Sequence, residues 1–235
     1  MIRSVSLQRD GLDVSRYPFS IPALRSLDVL ELDPRVTLFA GENGSGKSTL
    51  VEAIAVAAGF NAEGGGRNFM LTTRASHSEL HDHLHLVRDA RPQRDGFFLR
   101  AESFYNVATY VGELGVSGYG ATPLHEQSHG ESFLSLVLER FRGRGLYILD
   151  EPEAALSVRG VLALIRRMHE LAAGGSQFVV STHSPILLGY PGARIYVLSD
   201  DGIVATPWDE TEPVELTRAF LADRGRFLHY LLAEE

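Results

Sequence analysis

Apolar residues along this chain gather in short runs that alternate with stretches where they recur every three or four positions. Residues 2–7, 26–32 and 35–40 read as strands separated by Pro18, Pro22 and Pro34, so the chain opens β-rich. Residues 48–58 follow as an apolar helix. The run Asn61-Ala62-Glu63-Gly64-Gly65-Gly66-Arg67-Asn68 supports no regular element, and it opens a stretch to about residue 94 that reads as a mobile, partly helical insertion. Residues 96–101 predict another strand and 106–114 a helix. A second glycine-rich loop, 115–130, leads into a helix over 131–141, where Phe133, Leu134, Val137, Leu138 and Phe141 share helical spacing.

Leu146-Tyr147-Ile148-Leu149 is an apolar strand ending in Asp150-Glu151-Pro152. Residues 161–171 read as a helix and 177–182 as a strand ending at His183. Residues 194–198 and 202–204 pair across Ser199-Asp200-Asp201 as a hairpin, and 212–232 form an amphipathic helical tail. Strands alternating with helices, with polar motifs at the strands' C-terminal ends, predict an open α/β sheet in a single domain over residues 1–235.

Composition narrows the class. The chain has 235 residues, 44% of them hydrophobic, and no cysteine, which excludes a disulfide framework, a thiol nucleophile and a thiolate metal site. No apolar run reaches the roughly 18–20 residues that cross a bilayer, and residues 1–6 lack an apolar signal core. The expectation is a cytoplasmic protein without direct membrane insertion. A net charge of −8 argues against binding nucleic acid by bulk electrostatics and leaves only a local basic groove for that purpose.

The 22 basic residues are 21 arginines and one lysine, Lys47. Lys47 sits in Gly41-Glu42-Asn43-Gly44-Ser45-Gly46-Lys47-Ser48-Thr49, a complete G-x-x-x-x-G-K-[ST] loop between a strand and a helix. Such a loop turns successive backbone N–H groups and a helix N-terminus toward an anion. A compact ammonium on a flexible stem can follow a terminal phosphate where the wider guanidinium fork cannot. Asp150 and Glu151, delivered by an apolar strand, supply the second half of a nucleotide-hydrolysing site. Asp150 would hold Mg²⁺ with the Ser48 hydroxyl, and Glu151 would polarise the attacking water.

The loop at Gly41 to Thr49, Ser128-His129-Gly130-Glu131 ahead of an apolar helix, Asp150-Glu151-Pro152-Glu153-Ala154-Ala155-Leu156-Ser157, and Ser181-Thr182-His183-Ser184-Pro185 follow one another as in the ATP-binding-cassette ATPases. The chain resembles their small stand-alone bacterial branch. The resemblance implies a P-loop NTPase fold with a mixed sheet, flanking helices and an antiparallel β-rich N-terminal portion, and a helical signature region over about residues 100–142. It further implies binding of ATP and Mg²⁺, hydrolysis, and an ATP-dependent head-to-tail homodimer. Ser128, Gly130 and Glu131 match the signature that contacts the nucleotide held by a second subunit. Glu151 matches the catalytic glutamate, residues 154–157 the loop that communicates across the dimer, and His183 the switch histidine.

The chain departs from that pattern in places. His129 stands where the signature has glycine, Ser157 where the dimer loop has aspartate, and Glu102 is the candidate oxygen ligand for Mg²⁺ where a glutamine is usual. Tyr17 and Phe19 are the upstream aromatics available to stack on adenine. Outside these motifs, His77, His81, His83 and His85 could bind zinc in pairs on a helix face or form a solvated, pH-sensitive surface. Arg140, Arg142 and Arg144 straddle a helix end, where cations oppose the macrodipole. A regulatory or genome-maintenance ATPase with an unknown protein partner, a transporter's nucleotide-binding subunit, and a non-hydrolysing sensor are the readings that compete.

Overall fold

The computed structural model describes residues 1–66, 78–90, 93–101 and 129–233. In chain order the strands are β1 (Ile2–Leu7), β2 (Val29–Glu31), β3 (Val36–Gly41), β4 (Gly65–Gly66), β5 (Leu84–Arg88), β6 (Asp95–Arg100), β7 (Gly145–Asp150), β8 (Gln177–Ser181), β9 (Arg194–Ser199) and β10 (Gly202–Ala205). The helices are α1 (Pro22–Arg25), α2 (Lys47–Ala57), α3 (His129–Arg140), α4 (Val158–Ala173), α5 (Pro185–Leu188), α6 (Glu212–Ala222) and α7 (Arg224–Leu231). Among the described residues these strands form a seven-stranded sheet in the order β10-β9-β3-β8-β7-β6-β4 and a three-stranded sheet in the order β2-β1-β5.

The larger sheet is mixed. Strands β9, β3, β8, β7 and β6 run parallel, while β10 and β4 pair antiparallel at the two edges. Its central strands are apolar on both faces because both faces are covered. Val36, Leu38, Phe97, Leu99, Tyr147, Leu149, Phe178 and Val180 join one core with α3 and α4. Their sequence neighbours Phe39, Phe98, Leu146, Ile148 and Val179 join the other, with α2 and the three-stranded sheet. Alternation along each strand sends successive side chains into opposite cores. Gln177, fully buried, joins the two sheets: its Oε1 accepts from Ile2 N at 2.8 Å, and its Nε2 donates to Ile2 O at 2.7 Å and Asp33 O at 2.9 Å.

Several expectations need correction. The stretch read as an insertion contributes Gly65–Gly66 to the edge of the large sheet, against Phe97 and Phe98, and all of β5, which pairs with β1. Pairing with an existing strand outweighs the weak local propensity of these segments. His81 and His83 lie in a 3₁₀ turn, Glu79–His83, and His85 lies in β5, so His81 and His85 share no helix face. The His83 ring packs edge-on against Phe19. Among the described residues no group of three His, Cys, Asp or Glu is placed to hold a metal ion; His77 lies outside them. On α3 the buried stripe is Phe133, Leu136 and Val137, whereas Leu138 is 47% exposed. The tail is two helices, broken at Asp223, whose carboxylate caps α7 by accepting from Arg226 N at 2.9 Å. The helix read over 106–114 lies outside the described residues. Among the described residues no helix is long and apolar enough to cross a membrane.

Candidate active site

The parallel strands β3, β8, β7 and β6 deliver Gly41, Ser181, Asp150 and Arg100 to the same edge of the sheet, where open α/β folds bind ligands. Gly41, Gly44 and Gly46 have φ of 142°, 82° and 97°, a conformation that side chains resist. A Cβ on Gly41 would also sit 2.3 Å from Leu198 O, so the loop's entry admits only glycine. Gly46 caps α2, and Lys47 begins it. Glu42, Asn43 and Gly44 are exposed, and Ser48 and Thr49 are half-buried in the first turn.

Lys47 is only 3% exposed, and its Nζ donates to Glu42 O at 2.8 Å within the loop. Burial lowers its pKa, while the charges of Glu151, Asp150 and Glu153 push the other way. Those three carboxylates therefore act on the lysine, although Asp150 is 109 and 101 residues away along the chain from the loop's two ends. The Ser45 hydroxyl in the same loop is buried without a hydrogen-bond partner among the described residues. A glycine-held loop, a helix N-terminus, a buried ammonium and an orphaned hydroxyl together fit a bound phosphate chain.

Asp150 is buried at the end of β7. Its Oδ1 accepts from Ser181 Oγ at 2.5 Å, and its Oδ2 lies 3.5 Å from Arg100 Nε. Arg100 turns its other end to Glu52 of α2, with Nη1 2.5 Å from Glu52 Oε2. The strand that ends in Asp150 and the helix that follows the phosphate loop are thus joined through one guanidinium. Sequence reading missed Arg100 and Glu52, because each is an ordinary charged residue until the fold brings them together. Ser48 and Asp150 are a suitable oxygen pair for Mg²⁺. Glu102 lies outside the described residues.

Glu151 adopts a left-handed backbone, φ 48° and ψ 52°, which is unusual for a side-chain-bearing residue. Its N–H bonds Ser181 O at 3.1 Å and Ser181 Oγ at 3.2 Å. This fold-back brings Glu151 Oε1 to 3.2 Å from His183 Nε2, so the acid and the histidine singled out by sequence meet. Ser157 accepts from Gly160 N at 3.2 Å and caps α4, which accounts for serine at that position. Gly130 and Glu131 lie in the first turn of α3, and a Cβ on Gly130 would sit 3.0 Å from Ala155 O. Ser128 lies outside the described residues. Tyr17 is 65% exposed with its hydroxyl 3.2 Å from Thr49 Oγ1, whereas Phe19 is buried in the core and is not available to a base. Arg140 pairs with Asp95 at 2.7 Å, a more specific role than opposing a helix dipole.

Two family models match the chain: "AAA domain" over residues 20–100, and "AAA domain, putative AbiEii toxin, Type IV TA system" over residues 69–189. The chain belongs to this AAA-domain family and is an ABC-type P-loop ATPase. It is 32% identical over 166 residues to the cytochrome c biogenesis ATP-binding export protein CcmA of Mesorhizobium japonicum, a match covering 66% of this chain and 80% of that protein. It is 32% identical over 109 residues to an ABC transporter ATP-binding protein of Methanothermobacter marburgensis, covering 45% of this chain and 39% of the relative. A similar protein of Methanothermobacter thermautotrophicus matches over 34% of its length, so the chain spans well under half of these two relatives. Its fold is similar to that of cbiO1 from Clostridium perfringens, part of the ABC transporter complex cbiONQ, with TM-score 0.53, 15% identity and 99% of each chain covered.

Proposed function

We propose that this chain binds MgATP at the Gly41–Thr49 loop, closes head-to-tail on a second copy, and hydrolyses the nucleotide to reopen, as a regulatory, genome-maintenance or defence ATPase. The carrying observation is the Glu151–His183 pair at 3.2 Å beside the buried Lys47. Lys47 would release Glu42 O and follow the terminal phosphate, while Ser45 Oγ supplies a donor that has no partner among the described residues. Ser48 and Asp150 would hold Mg²⁺, which when bound neutralises phosphate charge. Ser181 fixes the free rotation of Asp150 by donating to its Oδ1. Once nucleotide draws the His183 ring away from Glu151, Glu151 would orient water and accept its proton, and His183 would donate from Nε2 toward the phosphate. Tyr17 would offer its exposed ring to adenine. Ser128, Gly130 and Glu131 would complete the partner's site.

A second reading makes the chain the ATP-binding subunit of a membrane transporter. The named activities of the export and transporter relatives favour it, whereas the family description that mentions a toxin system favours the first. Affinity capture from separated membrane and soluble fractions distinguishes them: a stoichiometric integral-membrane partner supports transport, and its absence with a soluble partner present supports the first reading.

Glu151→Gln tests the shared core of both. It keeps the side chain's shape and removes the proton acceptor, so turnover should fall by about a hundredfold or more, roughly 2.7 kcal/mol of barrier, with nucleotide affinity retained. Sedimentation should then find the variant as a dimer in MgATP. Turnover within about tenfold of wild type would assign the base elsewhere.

A further inference from the structure

Two residues beyond Glu151 stands a second acid whose contacts differ in kind. Glu153 Oε1 accepts three hydrogen bonds from consecutive residues: Thr182 Oγ1 at 2.7 Å, His183 N at 2.6 Å and Ser184 N at 3.1 Å. Ser184 N also lies 3.0 Å from Thr182 Oγ1, which closes the arrangement into a ring. Glu153 Oε2 is buried with no hydrogen-bond partner among the described residues. The turn that presents this acid, Pro152–Ala155, begins directly after the left-handed Glu151. The segment after β8 is therefore met twice from this region: Glu153 hydrogen-bonds its backbone, and Glu151 Oε1 lies 3.2 Å from His183 Nε2.

We propose that Glu153 is the positioning residue of the hydrolytic site: as a hydrogen-bond acceptor, it fixes the Thr182–Ser184 backbone so that the His183 ring faces Glu151. An acceptor oxygen that takes three donors from consecutive residues is a clamp, since each bond fixes a different group of the segment. The role needs an acceptor oxygen and not a titrating acid. Glutamine retains that oxygen in the same place, and alanine removes it. Glu151 and Glu153 should therefore respond in opposite ways to the same substitution. The inference rests on the ATPase reading of this site.

The test compares Glu153→Gln, Glu153→Ala and Thr182→Val with wild type by amide hydrogen exchange on the nucleotide-free protein and by steady-state hydrolysis. In Glu153→Ala the His183 and Ser184 amides should exchange about tenfold faster or more, with β3 and β7 unchanged. Its kcat should fall about tenfold or more, while nucleotide affinity stays within about twofold. Glu153→Gln should restore slow exchange and bring kcat back to within about threefold of wild type, unlike Glu151→Gln. Thr182→Val should give a partial form of the Glu153→Ala result, and it decides the matter if Glu153→Ala does not fold. Unchanged exchange at 183–184 in Glu153→Ala, or Glu153→Gln as inactive as Glu151→Gln, overturns the proposal. A wild-type chain without hydrolysis would refute the ATPase reading alone, because the exchange measurement tests the clamp separately.

Discussion

At the scale of single residues, the site is a balance around one ammonium. Lys47 is buried, which disfavours its charge, and three nearby carboxylates keep that charge favourable. Arginine is a poor replacement, because its planar fork is wider than the slender ammonium stem and Gly41 and Gly46 of the preceding loop are closely packed. Lys47→Arg should therefore cost turnover about a hundredfold or more, equivalent to about 2.7 kcal/mol, even though it preserves charge. Phosphate release with parallel nucleotide titration checks this, and wild-type turnover in the variant would remove the significance of the lone lysine. Lys47, Asp150, Glu151 and His183 were legible in the sequence because each lies in a local motif with fixed spacing. Arg100, Glu52 and Glu153 were not, because their partners lie 48, 29 or more residues away along the chain.

At the scale of elements, Asp95 fastens three of them. It accepts from Arg140 Nη1 of α3 at 2.7 Å, from Tyr147 Oη of β7 at 2.8 Å and from Arg142 N at 3.1 Å. Burial alone would raise the Asp95 pKa, but the Arg140 and Tyr147 hydrogen bonds outweigh it and hold the carboxyl below its ordinary value of 3.8. Burial and the Asp95 charge push the Tyr147 phenol far upward. Since the folded pKa of Asp95 is depressed, its stabilisation is fully present above the unfolded value and is lost as pH falls through the folded one. Asp95→Asn should cost about 1.5–3 kcal/mol near neutrality, from weaker hydrogen bonds to a neutral group. The gap to wild type should narrow below about pH 3.8. Denaturant unfolding across that range checks both statements; a pH-independent difference would contradict them. The long parallel strands were legible because strands buried on both faces are apolar without interruption. β4 and β5 were not: Gly65–Gly66 carries no pattern, and the histidine cluster that runs into β5 resembles a solvated loop until β1 supplies its ladder.

At the scale of the whole molecule, one sheet carries the phosphate loop, Asp150 and the Ser181–His183 segment on adjacent strands, so any shift of β8 relative to β3 or β7 alters the site. The turn after Glu151 meets both the His183 segment, through Glu153, and the first turn of α3, where Gly130 approaches Ala155. The first turn of α3 therefore packs on the same turn that carries Glu153.

The central claim is that each active site is built from two chains, and mixing two inactive variants tests it most directly. Lys47→Ala removes the phosphate ligand from one side of a site, and Ser128→Arg blocks the other side. In a head-to-tail dimer of one variant with the other, one site carries both lesions and its counterpart carries neither. Hydrolysis should return on mixing to roughly a quarter of wild type at equal amounts, because half of the dimers are mixed and each has one intact site. Heterodimers that form and remain inactive at every ratio, or full activity of Ser128→Arg by itself, would contradict the account.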